Sequence, residues 1–300
     1  MLTCHLRGGL GNQLFQIFTT ISYALKHKKP FVFTNETNLN NKKRSTYWHS
    51  FLSSLAKFTK EINYRTLLPF KLEEQSFAYK ELPSVLNDSI LLYGYFQSYK
   101  YFETHYTAIM RLIRLDEQKT AIKQKVNHID FKHTVSIHFR RGDYKQLADH
   151  YPILTEEYYK KAIQFVVGTN VVGTNVVGTN VVGTNVVGTN VVGTNIPITT
   201  VLVFCERSDL SEVSPSLTTL KITYPTLHFQ LVAFNMSDWE QMLVMSLCQH
   251  NIIANSTYSW WGAYFNMNQG KIVCYPSNWF GPKLQHYDTK DLCPLDWTRI

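Results

Sequence analysis

Apolar residues Leu14, Ile17, Phe18, Ile21 and Leu25 recur near helical spacing in the stretch LFQIFTTISYALKHKK. Its basic tail, Lys26, Lys28 and Lys29, suits a helix C-terminus. Before it comes LTCHL (Leu2 to Leu6), a short strand that runs into RGGLGNQ; after it comes a second strand, PFVFT (Pro30 to Thr34). The opening therefore reads strand, glycine-rich loop, helix, strand, a Rossmann-like beginning. Residues 35 to 130 are less regular and rich in aromatics. There ILLYGYFQSYKYFE (Ile90 to Glu103) reads as a strand and a helix start, its aromatics placed mainly in the core. A polar helical stretch, Lys123 to Asp130, is where a domain boundary is expected.

The second half alternates more clearly. Strands are expected at Thr134–Arg140, Thr199–Glu206, Asn251–Asn255 and Lys271–Tyr275. Helices are expected at Thr155–Val166, capped by Thr155, at Ser237–His250, capped by Ser237, and from Ser256 onward. Such alternation implies a parallel sheet covered on both faces. The expected fold class is α/β, with two Rossmann-like domains facing across a cleft, residues 1–125 and 126–300. One segment departs from the pattern: from Val166 to Asn195 the pentapeptide VVGTN occurs six times. Val, Gly, Thr and Asn are poor helix formers, glycine interrupts strands, and nothing bulky can build a core. We read it as a low-complexity insertion, with a stacked structural or adhesive repeat as the alternative, between a helix and the next strand, at the sheet edge opposite the ligand-binding one.

Composition narrows the class. At 300 residues and 44% hydrophobic content, two domains can each bury a core. The formal charge of +8 points to an anionic partner, but the basic residues are scattered. The densest cluster, Asn40 to Ser45, is too short for a nucleic-acid arm, so no nucleic acid is expected. Five widely spaced cysteines without a CxxC pair argue against a zinc site and a disulfide framework. There is no leader-like N-terminus and no run of about 18 apolar residues, so a cytoplasmic protein is expected.

Chemistry should lie where strands end. In TVSIHFRRGDY, the period of two puts His138 and Arg140 on one side of the strand, with Phe139 and Arg141 on the other. Arg140 offers the rigid fork of donors a diphosphate needs; an Arg141–Asp143 ion pair closing the turn is the plainer alternative for those residues. The loop around Gly9, Gly11, Asn12 and Gln13 allows close backbone approach before a helix N-terminus, although it is neither a Walker loop nor a full dinucleotide fingerprint. In NSTYSWWGA, residues Asn255 to Ser259 offer hydroxyls and amides at another strand-to-helix junction, while Trp260 and Trp261 read as core. Glu206 ends a further strand with a carboxylate, a potential acceptor from guanine. Together these converge on a nucleotide-diphosphate cleft.

The motifs GGLGNQLFQ, HFRRGDY and ANSTYSWWGAY, in this order and spacing, resemble the bacterial α-1,2-fucosyltransferases of glycosyltransferase family 11. The resemblance covers most of the chain outside the VVGTN insertion. It implies a GT-B-like fold, GDP-β-L-fucose as donor, and inverting transfer to the 2-hydroxyl of a terminal galactose on an oligosaccharide or lipopolysaccharide glycan. It also implies no metal or other cofactor, and the sequence contains no D-x-D pair. Peripheral contact with the inner membrane face is compatible with such an acceptor. By resemblance, His138 lies by the nucleoside, Arg140 by the β-phosphate, and Asn12 near the diphosphate or acceptor. The donor-binding set is then Gly9, Gly11, Asn12, Gln13, His138, Arg140, Glu206, Asn255, Ser256, Thr257, Tyr258 and Ser259, with Arg140, Asp143 and Asn12 catalytic. Relatives commonly carry two consecutive acids where this chain has Glu206-Arg207, so the guanine contact departs in detail. The general base stays open, with Asp143 the first candidate and a structural Asp143 the alternative. Two readings compete: another sugar nucleotide on the same fold, and a non-catalytic glycan-binding protein.

Overall fold

The computed structural model describes residues 1–39, 44–62, 69–169 and 197–300; the VVGTN array from Asn170 onward lies outside them. The N-terminal half is built on β1 (Leu2–Cys4), α1 (Leu10–Lys26) and the short strands β2 (Phe33–Thr34), β3 (Asn38–Leu39), β4 (Arg44–Ser45) and β5 (Thr59–Lys60). It continues with β6 (Phe70–Glu73), β7 (Ile90–Tyr93), α2 (Tyr106–Leu112) and α3 (Leu115–Lys125). Strands β1, β7 and β6 form a parallel sheet in that order, and Phe31 bridges Leu2 on its other side. The expected strand–helix–strand opening is therefore present.

The C-terminal half holds β8 (Thr134–His138), α4 (Glu156–Thr169), β9 (Thr200–Phe204), α5 (Leu210–Thr223) and β10 (His228–Leu231). Then follow α6 (Asp238–Leu247), β11 (His250–Ile252), α7 (Thr257–Tyr264), β12 (Val273–Tyr275) and β13 (Thr298–Arg299). All six strands are parallel, in the order β10-β9-β8-β11-β12-β13. Numbered by chain order within this half, that is 3-2-1-4-5-6, the doubly wound arrangement whose direction reverses between β8 and β11. Crevices at such a reversal, at the carboxyl ends of the strands, are where ligands bind. The fold is thus α/β, with a three-stranded parallel sheet in the N-terminal half and this six-stranded parallel sheet in the C-terminal half. Among the described residues no helix is long and apolar enough to cross a membrane.

Period-two burial explains β8. Val135, Ile137 and Phe139 pack with Tyr159 and Ile163 of α4 and with Val201 and Val203 of β9. Leu202 and Phe204 point to the other core, which the two halves share. That shared core contains Phe15 and Phe18 of α1 beside Trp260 and Trp261 of α7. Phe15 lies 4.5 Å from the Trp260 ring, and Phe18 lies 4.6 Å from that of Trp261. The tandem tryptophans are core, as expected. Of the aromatics after β7, Phe96 and Phe102 are fully buried.

Three differences from the sequence expectation have simple causes. Helix α1 begins at Leu10, so Gly11, Asn12 and Gln13 belong to its first turn and not to a loop. Helix α4 runs to Thr169, past the expected end at Val166, into the first VVGTN copy. Helix α6 stops at Leu247, and His250 has moved into β11. Its start is held by a full capping box between Ser237 and Glu240. The edge strands β10 and β13 had no clear periodic signal because each is short and only partly buried.

Candidate active site

A cavity of about 940 Å³ lies between the halves, at the carboxyl ends of β8 and β9 and at the start of α1 and α7. From the N-terminal half come Gly8 to Asn12, Glu74, Phe77, Tyr95 and Gln97. From the C-terminal half come His138, Arg140, Asp143, Glu206 and Asn255 to Tyr258.

The paired arginines divide. Arg141 is buried and donates to the Leu154 carbonyl at 2.9 Å, on the side of Phe139. Arg140 faces the cavity, its side chain 19% exposed. Its two terminal nitrogens donate to Glu206 Oε1 and Asp143 Oδ1, and its guanidinium sits 5.1 Å from the Tyr144 ring centroid. Burial works against its charge, but Glu206 and Asp143 outweigh that and hold its pKa above the ordinary arginine value. The plainer expectation, an ion pair of Arg141 with Asp143, is therefore corrected: Asp143 pairs with Arg140, and Arg44 approaches its other oxygen at 3.7 Å.

His138 shares this wall, as the strand period requires. It is buried, and burial, helped by Arg140, lowers its pKa to about 3, so it is neutral. Its Nδ1 has no hydrogen-bond partner, and the ring lies 5.5 Å from that of Tyr258. An uncharged ring beside a cation and a phenol suits an aromatic or sugar group better than a phosphate.

Asn12 links the halves. Its Oδ1 accepts from Thr257 Oγ1 at 2.9 Å and from Gln97 Nε2 at 3.0 Å. With the oxygen end so occupied, the amide Nδ2 remains to donate, beside Gly8. Gly8 has φ +82° and no room for a Cβ, which would come within 2.5 Å of Asn12 Nδ2. The first turns of α1 and α7 contain no acidic residue. Two helix N-termini free of counter-charge thus open on one cavity beside Arg140, an arrangement that binds anions.

Two expected donor-binding side chains point elsewhere. Gln13 donates to the Gly8 and Ser45 carbonyls at 3.1 and 2.9 Å, so it holds the loop. Ser259 is fully buried one turn into α7, 3.4 Å from the Ser256 carbonyl. Asn255 lines the cavity, but its Nδ2 is used on the Pro152 and Trp279 carbonyls at 3.0 and 3.2 Å. Ser256 caps α7 by accepting the Tyr258 N–H at 3.4 Å. Glu206 faces the cavity but is occupied by Arg140.

Some lining residues had no signal in the sequence. Phe77, Phe280 and Tyr287 form an aromatic cluster, Phe77 stacked on Tyr287 at 5.4 Å. They come from both halves and only tertiary folding assembles them. Glu74 follows β6, its carboxylate accepting the main-chain N–H groups of Tyr95 and Phe96. No strand is legible in the sequence here, because residues 35 to 130 lack clear periodicity, so nothing marked Glu74.

Residues 224–300 match the model of glycosyl transferase family 11. Over 93% of this chain and 95% of its own length, the O-antigen biosynthesis glycosyltransferase WbnK of Escherichia coli is 28% identical. The alpha-1,2-colitosyltransferase of Escherichia coli is 23% identical over 100% of this chain and 99% of its own length. A galactoside 2-alpha-L-fucosyltransferase of Caenorhabditis elegans is 28% identical over 50% of this chain and 44% of that protein. The crystal structure of POFUT1 in complex with GDP-fucose covers 91% of this chain and 97% of its own, at 9% identity and a TM-score of 0.45. That likeness is too weak to place any residue.

Proposed function

We propose that this chain is a glycosyltransferase of family 11 that moves L-fucose from GDP-β-L-fucose to the 2-hydroxyl of a terminal galactose, with inversion and without a metal. The family 11 match of its C-terminal residues and its glycosyltransferase relatives support this reading. The carrying observation is Arg140 at the sheet reversal, opening with two acid-free helix N-termini on one cavity. As the bond from the sugar to the β-phosphate breaks, negative charge grows on the phosphate while the sugar becomes oxocarbenium-like. A guanidinium already held in place, with N–H donors around it, meets that charge without reorganising. Asp143 and Glu206 each accept from one terminal nitrogen and preset the fork; the remaining N–H groups of Arg140 meet the phosphates when the nucleotide enters. His138, uncharged beside Arg140, and Tyr258, whose ring lies 5.5 Å from that of His138, would flank the nucleoside. Asn12 would direct its Nδ2 to the diphosphate or the acceptor. The acceptor would be a glycan chain, in keeping with the O-antigen and galactoside relatives.

A second reading, transfer of colitose, is favoured by the colitosyltransferase relative that spans the whole chain. One assay separates them. The protein is incubated in EDTA with GDP-fucose and a galactose-terminated acceptor, and the product linkage is read by NMR. Formation of a fucosyl-α-1,2-galactose linkage is expected, with thermal stabilisation by GDP exceeding that by UDP. No product with EDTA but product with added magnesium would end the metal-free reading. Faster turnover of a colitose donor would favour the second.

A further inference from the structure

Four carboxylates line the cavity among the described residues: Glu74, Asp143, Glu206 and Asp238. Three are engaged by side chains. Asp143 and Glu206 hold Arg140, and Asp238 accepts the Tyr47 hydroxyl on one oxygen and the Trp239 N–H at 2.7 Å on the other. Glu74 differs. Its oxygens accept only main-chain groups, the N–H of Tyr95 at 2.7 Å and of Phe96 at 2.9 Å. Each oxygen accepts one bond, so lone pairs remain for a proton. The turn that supplies these donors is constrained, since Phe96 is fully buried with φ +53°, a conformation bulky residues rarely adopt. The next residue, Gln97, donates to Asn12, which tethers the turn to the junction with α7. Glu74 thus stands on the N-terminal wall, in the half that does not carry Arg140, and its position is firmly set.

We infer that Glu74 is the general base that accepts the proton of the attacking acceptor hydroxyl. The inference rests on the transfer reaction proposed above. The acceptor oxygen bonds to C1 of the sugar, and C1–O to the β-phosphate breaks. GDP leaves with that electron pair, and the hydroxyl proton passes to Glu74. Asp143, the first candidate from the sequence, is committed to Arg140 and stays on the nucleotide side.

Burial lifts the Glu74 carboxyl to about 7, although the two N–H bonds and Arg7 lower it. A base works best with its pKa near the operating pH. The charged and titratable groups facing it are Arg7, whose guanidinium lies over Tyr93 and Tyr95 at 4.9 and 4.1 Å, and the Tyr101 phenol.

The test measures kcat/KM for the acceptor over about two pH units either side of neutrality, and GDP affinity by calorimetry, for wild type, Glu74→Gln and Glu74→Asp. In wild type the rate should fall about tenfold per pH unit below about pH 7, where the carboxylate is protonated. Glu74→Gln should lose about a hundredfold to ten-thousandfold in kcat, keep its GDP affinity, and lose the acid limb. Glu74→Asp should keep the limb at reduced kcat. A Gln variant within about threefold of wild type, or one that keeps the limb, overturns the assignment. If the Gln variant does not fold, the wild-type profile decides: GDP binding with no acid limb near neutrality overturns Glu74 alone. Wild type that neither binds GDP nor transfers sugar overturns the donor reading and this inference with it.

Discussion

The indole Nε1 of Trp261, on α7, donates to the main-chain oxygen of Gly11, on α1, at 2.9 Å. This bond is buried and joins the helix after β11 to the helix after β1, so each half shapes the other's anion-binding end. The approach is closer than any side chain permits, because a Cβ on Gly11 would lie 2.5 Å from the Thr257 main chain. Gly11→Ala should therefore destabilise by roughly 1–3 kcal/mol through forced separation of the two helices. Trp261→Phe should cost about 0.5–1.5 kcal/mol, the net worth of one hydrogen bond, since the Gly11 oxygen keeps its intrahelical partner. Urea unfolding of both variants measures this; wild-type midpoints would show that the junction contributes nothing.

Arg140→Ala should lower turnover on the order of a hundredfold or more, as removal of one oxyanion donor does elsewhere. The loss is compounded because Asp143 and Glu206 would then face the phosphates unpaired. Arg140→Lys keeps the charge but not the fork, and should recover only part of the rate. Steady-state kinetics on folded variants test this, and near-normal turnover of the alanine variant contradicts the role given to Arg140.

Stability should fall as the medium is acidified below neutrality. His138 and His250 are buried, with pKa values lowered to about 3 and about 4, whereas the unfolded chain binds those protons near 6.5. Between those values the unfolded state takes up more protons, so acid favours it. Glu74 opposes this with one proton, because its carboxyl, raised to about 7, is protonated in the folded state first. Two protons taken up by the unfolded chain against one taken up by the folded protein leave a net of about one, so stability should fall by roughly 1 kcal/mol per pH unit between about pH 5 and 6. His138→Gln should make that slope much shallower. Chemical denaturation at two pH values checks it, and a flat wild-type profile would disprove it.

Deleting several VVGTN copies should leave kcat unchanged. The connection leaves α4 at Thr169 and returns at the start of β9, the amino edge of the sheet, while Arg140 and Glu206 follow the carboxyl ends of β8 and β9. Loss of turnover in a folded deletion variant would show that the array reaches the cleft.

The sequence alone determined the local order of elements and the side each residue takes. Period-two alternation in TVSIHFRR separated His138 and Arg140 from Phe139 and Arg141, because a strand's alternation is geometric and needs no partner. It likewise showed that glycines, hydroxyls and guanidinium stand at junctions after strands. What tertiary structure alone decided is which of these ends meet. The sheet order places the end of β8 beside that of β11, and this brings Arg140 to Ser256 and Thr257 across more than a hundred intervening residues. The fate of Gln13 and Ser259 was equally out of reach: each sits one helical position from a residue that faces the cavity, and only packing selects the face. Glu74 was invisible for the same reason. A surface-like Glu-Glu pair carries no signal of its own; Glu74 becomes a distinct chemical group only when folding buries it, gives its oxygens main-chain donors, and brings it to the wall of the cavity that Arg140 also lines.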